Sequence, residues 1–210
     1  MRIMLPGTVN NMSVVIAICS EAFCLMAADS RCMINNDNGE WTFKDDSTRK
    51  IFSVENKVLF GGAGQFWNTE KIYSPIDSIR VLTLDRVANL AEHYINDHAL
   101  VIDRYRRTYV MCGRDNDGLN TIIGINYDAE TKRARRMVYK PYIKGSIVSE
   151  MILPNALKDQ ADRYNDLLSK EVLAANSMVE LKARLANLIK KIGKDDIEKT
   201  VGGKVQFLMI

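Results

Sequence analysis

Histidine is nearly missing from this chain: there are two in 210 residues, His93 and His98. They lie five positions apart, which misses the i, i+4 pairing of a helix face, and no H-E-x-x-H stands anywhere in the sequence. A His-rich metal site is therefore excluded, and any nucleophile activated by an imidazole would depend on one of these two. Long apolar runs are missing too. The longest, Val14–Cys19 and Ala22–Ala28, hold six and seven residues, against the ~20 that a membrane-spanning helix needs. The opening residues carry one arginine and no apolar stretch, which argues against a secretory signal. Neither sign of charge dominates, and a net charge of +3 is too weak to imply a nucleic-acid partner. Repeats, linkers and low-complexity segments are absent.

What remains is an ordinary globular composition, 47% apolar and 26% charged, of a length that suits one domain at roughly 150 residues per domain. The four cysteines, Cys19, Cys24, Cys32 and Cys112, have no zinc-ligand spacing. Three sit in or beside apolar strand-like segments, so they are expected to be reduced and mostly buried, in a cytoplasmic protein.

The first third reads as strands. Ser13–Ser20 and Ala22–Asp29 form a hairpin whose near-continuous apolarity predicts cover on both faces. The polar stretch 35–47 reads as a loop or long hairpin tip. Lys50–Val54 and Val58–Phe60 follow, with a turn at Glu55-Asn56, and then the glycine cluster at 61–64. The period changes at Leu84, Val87, Ala88, Leu90, Ala91, Tyr94 and Ile95, which predicts a helix capped by Thr83. Strands are expected around Tyr109–Cys112, Thr121–Ile125 and Arg136–Tyr142. Helices are expected over Ser146–Leu168, interrupted at Pro154, and over Val179–Ile192, with Gly193 as the terminating glycine. A last strand spans Val205–Ile210. Hairpin-length connections in this order predict antiparallel sheets with helices packed outside rather than a doubly wound fold.

The stretch MSVVIAICSEAFCLMAADSR, then TRKIF, then KVLFGGAGQ, resembles the β-type subunits of the proteasome and their bacterial relatives, which are N-terminal-nucleophile hydrolases. The similarity places Ser13 at the nucleophile position and Asp29 at the family aspartate. Lys50 falls at the family lysine and Gly64 at the oxyanion-hole glycine. Gly145-Ser146 resembles the later Gly-Ser element, and VGGKVQFLMI the closing motif. The resemblance implies an α+β, four-layer α/β/β/α sandwich of two antiparallel sheets. It also implies hydrolysis of peptide or amide bonds without a cofactor, and self-assembly into rings or stacked rings. An unfoldase is an implied possible partner; no nucleic-acid or membrane partner is implied.

The chemistry accounts for these residue types. A hydroxyl needs a base within hydrogen-bond reach. An N-terminal residue supplies its own α-amine, whose reference pKa of about 7.7–8.0 lies near operating pH. Lys50 would favour the neutral amine and the developing alkoxide, with Asp29 holding it in place. The Gly64 N–H would stabilise the oxyanion, typically by ~3 kcal/mol. Met12 directly precedes Ser13, so residues 1–12 are expected to be a propeptide or an over-extended start, and 13–210 the hydrolase domain. Where active peptidases of this family carry an Asp and a Ser before the closing Gly-Gly, this chain has Glu198 and Val201. The alternatives are a catalytically silent scaffold subunit and a hydrolase of small amides. The GGAG cluster lacks the Gly-Lys-Ser/Thr of a phosphate loop. Lys132, Arg133, Arg135 and Arg136 read as the wet face of a hairpin.

Overall fold

The computed structural model describes residues 13–35, 41–63, 82–97, 108–128 and 130–210. Its centre is the hairpin of β1 (Val15–Cys19) and β2 (Cys24–Ala28), ten residues that are all fully buried. Each strand sorts its side chains strictly by parity. Ile16, Ile18, Leu25 and Ala27 face one core, while Val15, Ala17, Cys19, Cys24, Met26 and Ala28 face another. Both faces are therefore apolar, as expected of strands covered on two sides. Burying each large aliphatic side chain here stabilises the fold by about 1.5–3 kcal/mol.

The hairpin is flanked by β10 (Val148–Ile152) and β11 (Gln206–Met209), giving an antiparallel sheet of order β10-β1-β2-β11. A second antiparallel sheet runs β5 (Ile51–Val54), β6 (Val58–Ala63), β7 (Thr108–Arg114), β8 (Asn120–Asp128), β9 (Arg133–Tyr139). The β5–β6 turn carries Glu55 and Asn56 at φ 48° and 52°, the left-handed pair that a tight hairpin turn demands. A small separate hairpin pairs β3 (Cys32–Asn35) with β4 (Trp41–Asp45).

Helix α1 (Leu84–Asp97) covers the outer face of the second sheet through Leu84, Val87, Ala88, Ala91 and Ile95. Thr83 caps it as expected, its Oγ1 accepting from Arg86 N at 3.4 Å. Helices α2 (Ala161–Leu173) and α3 (Met178–Asp195) cover the first sheet. The third core, between the sheets, draws on β1, β2, β6, β7 and β8. The layers are thus helix, sheet, sheet, helix. Among the described residues no helix is long and apolar enough to cross a membrane.

Three expectations are corrected. Residues 148–152 form a strand, not the start of a helix, because their backbone pairs with β1 from Val15↔Ile152 to Cys19↔Val148; the helix begins only after Pro154 and a 3-10 turn over Asn155–Gln160. Gly193 does not end α3, which runs on to Asp195. A Cβ at Gly193 would stand 3.0 Å from the Val201 carbonyl oxygen, so this glycine serves close packing rather than termination. Arg136 is not simply wet: its guanidinium reaches Asn89 at 2.9 Å and Asp85 at 2.5 Å on α1.

Candidate active site

Asp29 directly follows β2 and is completely buried. A carboxylate in such a place must be fully hydrogen-bonded, and this one is. Oδ1 accepts from Val14 N at 3.0 Å. Oδ2 accepts from Lys50 Nζ at 2.8 Å, Arg31 N at 3.1 Å and Gly202 N at 3.2 Å. Lys50, itself only 7% exposed, lies immediately before β5 in the other sheet. Its ammonium bridges the sheets at the end where β1 begins. Ser13, buried at 7% exposure, precedes the Val14 amide that Asp29 holds. Three of the five residues singled out from sequence, Ser13, Asp29 and Lys50, therefore meet at one end of the sandwich.

Gly64 lies outside the described residues, as do residues 1–12. β6 ends at Ala63, one position before Gly64, on the side of the sheet where Lys50 sits, since Gly61 pairs with Ile51. Ser146 is not brought to the group. The β1–β10 register places it level with the Ser20–Phe23 turn, about 25 Å along the strand from Ser13 at roughly 3.3 Å per residue. Its Oγ is buried without a hydrogen-bond partner. Ile152, which ends β10 just before Leu153 and Pro154, and not Gly145-Ser146, registers with Val15 at the start of β1.

The sequence reading missed the frame that holds Asp29. Ser30 N and Arg31 N donate to Gly202 O at 3.0 and 3.1 Å, while Gly202 N returns a bond to Asp29. The Arg31 guanidinium pairs with Asp46 through two bonds, 2.8 and 3.1 Å, and this hydrogen-bonded partner holds the Asp46 carboxyl below the usual carboxylate range. The same guanidinium donates to Lys199 O at 3.1 Å. A Cβ on Gly202 would strike it at 2.5 Å, so only glycine fits with Arg31 where it is. Gln206, a lone polar residue opening β11, accepts from Lys50 N at 3.2 Å and donates to Thr48 O at 2.6 Å. Asp196, fully buried, shapes the approach by accepting from Thr200 N, Thr200 Oγ1 and Val201 N at 2.7, 2.8 and 3.1 Å. Val201 is packed into the core, and Glu198 is exposed, donating only its backbone N–H to Asp196. The Gly-Gly doublet was the visible signal for this frame; nothing local marks Asp196.

A cleft of about 630 Å³ opens at the same end, displaced toward the β8–β9 edge and lined by Thr108, Asn126, Glu150, Leu153 and Lys158 among others. Ser13 and Lys50 do not line it. Asn126 Oδ1 is buried there without a partner. Burial pushes the Glu150 carboxyl above its ordinary range, with a hydrogen bond from Tyr139 opposing.

At the other end of β1, Cys19, Cys24 and Cys112 are buried as expected, and Cys32 is half-buried. Burial pushes the Cys19 and Cys112 thiols up.

No family model matches the chain, and no curated protein matches it in sequence. Solved structures do. The fold is similar to eukaryotic HslV from Trypanosoma brucei, at a TM-score of 0.56 and 10% identity over 93% of this chain and 98% of that one. It is similar to the Gly-1 mutant of Anbu from Hyphomicrobium sp. strain MC1, at a TM-score of 0.64 and 10% identity, covering 94% and 81%. It is also similar to Anbu, an ancestral beta-subunit, from Yersinia bercovieri, at 0.62 and 12%, again covering 94% and 81%. The four-layer fold expected from the proteasome-like resemblance is the fold the chain has.

Proposed function

We propose that this chain is an N-terminal-nucleophile hydrolase of peptide or amide bonds, with Ser13 as nucleophile and its own α-amine as base. One observation carries the proposal: a buried Asp29–Lys50 ion pair, at 2.8 Å, is tied through the Val14 amide to the residue following Ser13. A buried ion pair is seldom a gain in stability over apolar packing, so its presence at the head of β1 calls for a reason beyond the fold. Chemistry at Ser13 supplies one. The ammonium favours the neutral form of the neighbouring amine and the developing alkoxide. The amine takes the hydroxyl proton and the alkoxide adds to the carbonyl. The protonated amine then returns that proton to the leaving nitrogen as the C–N bond breaks, and water, deprotonated by the same amine, hydrolyses the resulting ester. Gly64 N–H is assigned to the oxyanion. The reading requires residues 1–12 to be removed, since an acylated Ser13 nitrogen cannot act as a base. It extends to assembly with further copies of the same chain.

The test starts with intact mass and N-terminal sequencing of protein from its native host, where a chain beginning at Ser13 is expected. That form should hydrolyse members of a fluorogenic peptide panel. Ser13→Ala and Lys50→Ala should each abolish the activity while leaving the circular dichroism and assembly size unchanged. A chain that begins at Ser13, assembles and hydrolyses nothing would instead favour the silent scaffold, the reading to which the buried Val201 and exposed Glu198 lend weight.

A further inference from the structure

Cys19 and Cys24 are paired neighbours at the turn end of the β1–β2 hairpin, and their Sγ atoms are 3.0 Å apart. Cys112 rises from β7 in the opposite sheet. The three sulfurs lie within 4.8 Å of one another, and all three residues are buried. Parity alone sends them there: positions 19, 24 and 112 all face the core between the sheets.

We propose that Cys19, Cys24 and Cys112 form a three-coordinate site for a soft monovalent cation, Cu(I). A metal held about 2.3 Å from three sulfurs in a plane sets those sulfurs about 4.0 Å apart. The cluster spans that separation once Cys19 and Cys24 part by about 1 Å, a movement within reach of a side-chain torsion. Sulfur donors select Cu(I) over harder ions. Zinc in a closed site takes four ligands, and in an open one it keeps a water. Among the described residues no fourth cysteine, histidine or carboxylate joins the group, and the walls are apolar, with Ala17, Leu59 and Ile122 in the same core. The sulfurs bind as thiolates, so occupation of the site releases the three thiol protons to solvent.

Entry is through the hairpin turn. Glu21 and Ala22 above the cluster are exposed, and Asn120 Nδ2 tethers the turn to β8 by bonds of 2.8 and 3.2 Å to Ser20 O and Glu21 O. Opening this one turn exposes Cys19 and Cys24 without unfolding the sandwich. The site lies six residues along β1 from Ser13, so it does not depend on the proposed hydrolase chemistry.

The full chain, reduced and kept anaerobic, is titrated with Cu(I) supplied as its acetonitrile complex, in competition with the chromophoric chelator bicinchoninate. One equivalent per chain should be withheld from the chelator, with a rise in the thermal midpoint. Cys112→Ser and Cys112→Ala should each weaken retention roughly tenfold or more, and Cys32→Ser should match the parent; circular dichroism confirms that the variants compared are folded. Retention by the Cys112 variants equal to the parent, or no retained equivalent at all, overturns the proposal and leaves three thiols as core packing. A Cys19–Cys24 disulfide in the protein as isolated, read as two missing thiols, also overturns it and makes the group a redox pair.

Discussion

Removing the Asp29–Lys50 pair in steps separates its charge from its shape. In Lys50→Met the carboxylate loses its cation but keeps the Val14, Arg31 and Gly202 amides. Breaking a buried pair costs about 3–5 kcal/mol, and three surviving N–H donors place this variant near the lower end, about 3 kcal/mol. In Asp29→Asn the best rotamer puts the amide oxygen where Oδ2 stood, keeping three donors. The new NH₂ then faces Val14 N–H, donor to donor. That orphaned amide costs about 1–3 kcal/mol, added to an unpaired Lys50, so about 4–5 kcal/mol is expected. The double variant buries neither charge. Independent effects would sum to about 7–8 kcal/mol, agreeing within roughly 0.5 kcal/mol; with neither charge buried only the orphaned Val14 amide remains, so the structure predicts about 1–3 kcal/mol, a coupling of about 4 kcal/mol or more. Urea unfolding of all four proteins, at neutral pH and one fixed chain concentration, measures it through the midpoints at constant slope. Simple additivity would refute the idea that the two charges hold each other in the interior.

Two further outcomes follow from the same frame and its neighbour. Gly202→Ala should drive Arg31 off Asp46 and tilt the Gly202 amide away from Asp29, costing about 1–3 kcal/mol, a fall of roughly 5 °C in thermal midpoint; an unchanged melting curve would count against the clasp. Glu150 holds its proton more tightly folded than unfolded because of burial, so its contribution is fully present below the unfolded carboxylate value and is lost as pH rises through the folded one. Glu150→Gln should therefore lose less thermal stability than the parent between pH ~4.5 and pH ~8, and a steeper loss in the variant would reverse the assignment.

Much of this molecule is legible in its residues. The β1–β2 hairpin declares itself through two apolar runs, and Asp29 and Lys50 were marked by resemblance before any contact was known. β10 was misread because Ile147, Val148, Met151 and Ile152 also satisfy a helical period; only pairing with β1 decides between the two. The Gly145-Ser146 pair was misplaced for the same reason, since register, not dipeptide identity, sets which end of a sheet a residue occupies. Asp196 and the Arg31–Gly202 clasp act through backbone groups that leave no side-chain pattern. The three cysteines are separated by 5 and 88 positions, intervals that carry no metal signature, and it is the β1–β2 hairpin facing β7 across the sheets that unites them.

The clasp on Asp29 joins residues 173 positions apart in the chain. Gly202, Gln206 and β11 follow the hairpin, the lysine strand and the helices in the chain, so a growing chain can lay those elements down and still lack the Gly202 amide that closes on the carboxylate. The order of synthesis thus acts as a safety catch: the proposed cutting site is framed only once Gly202 has been made, and a chain truncated before it is left without that frame.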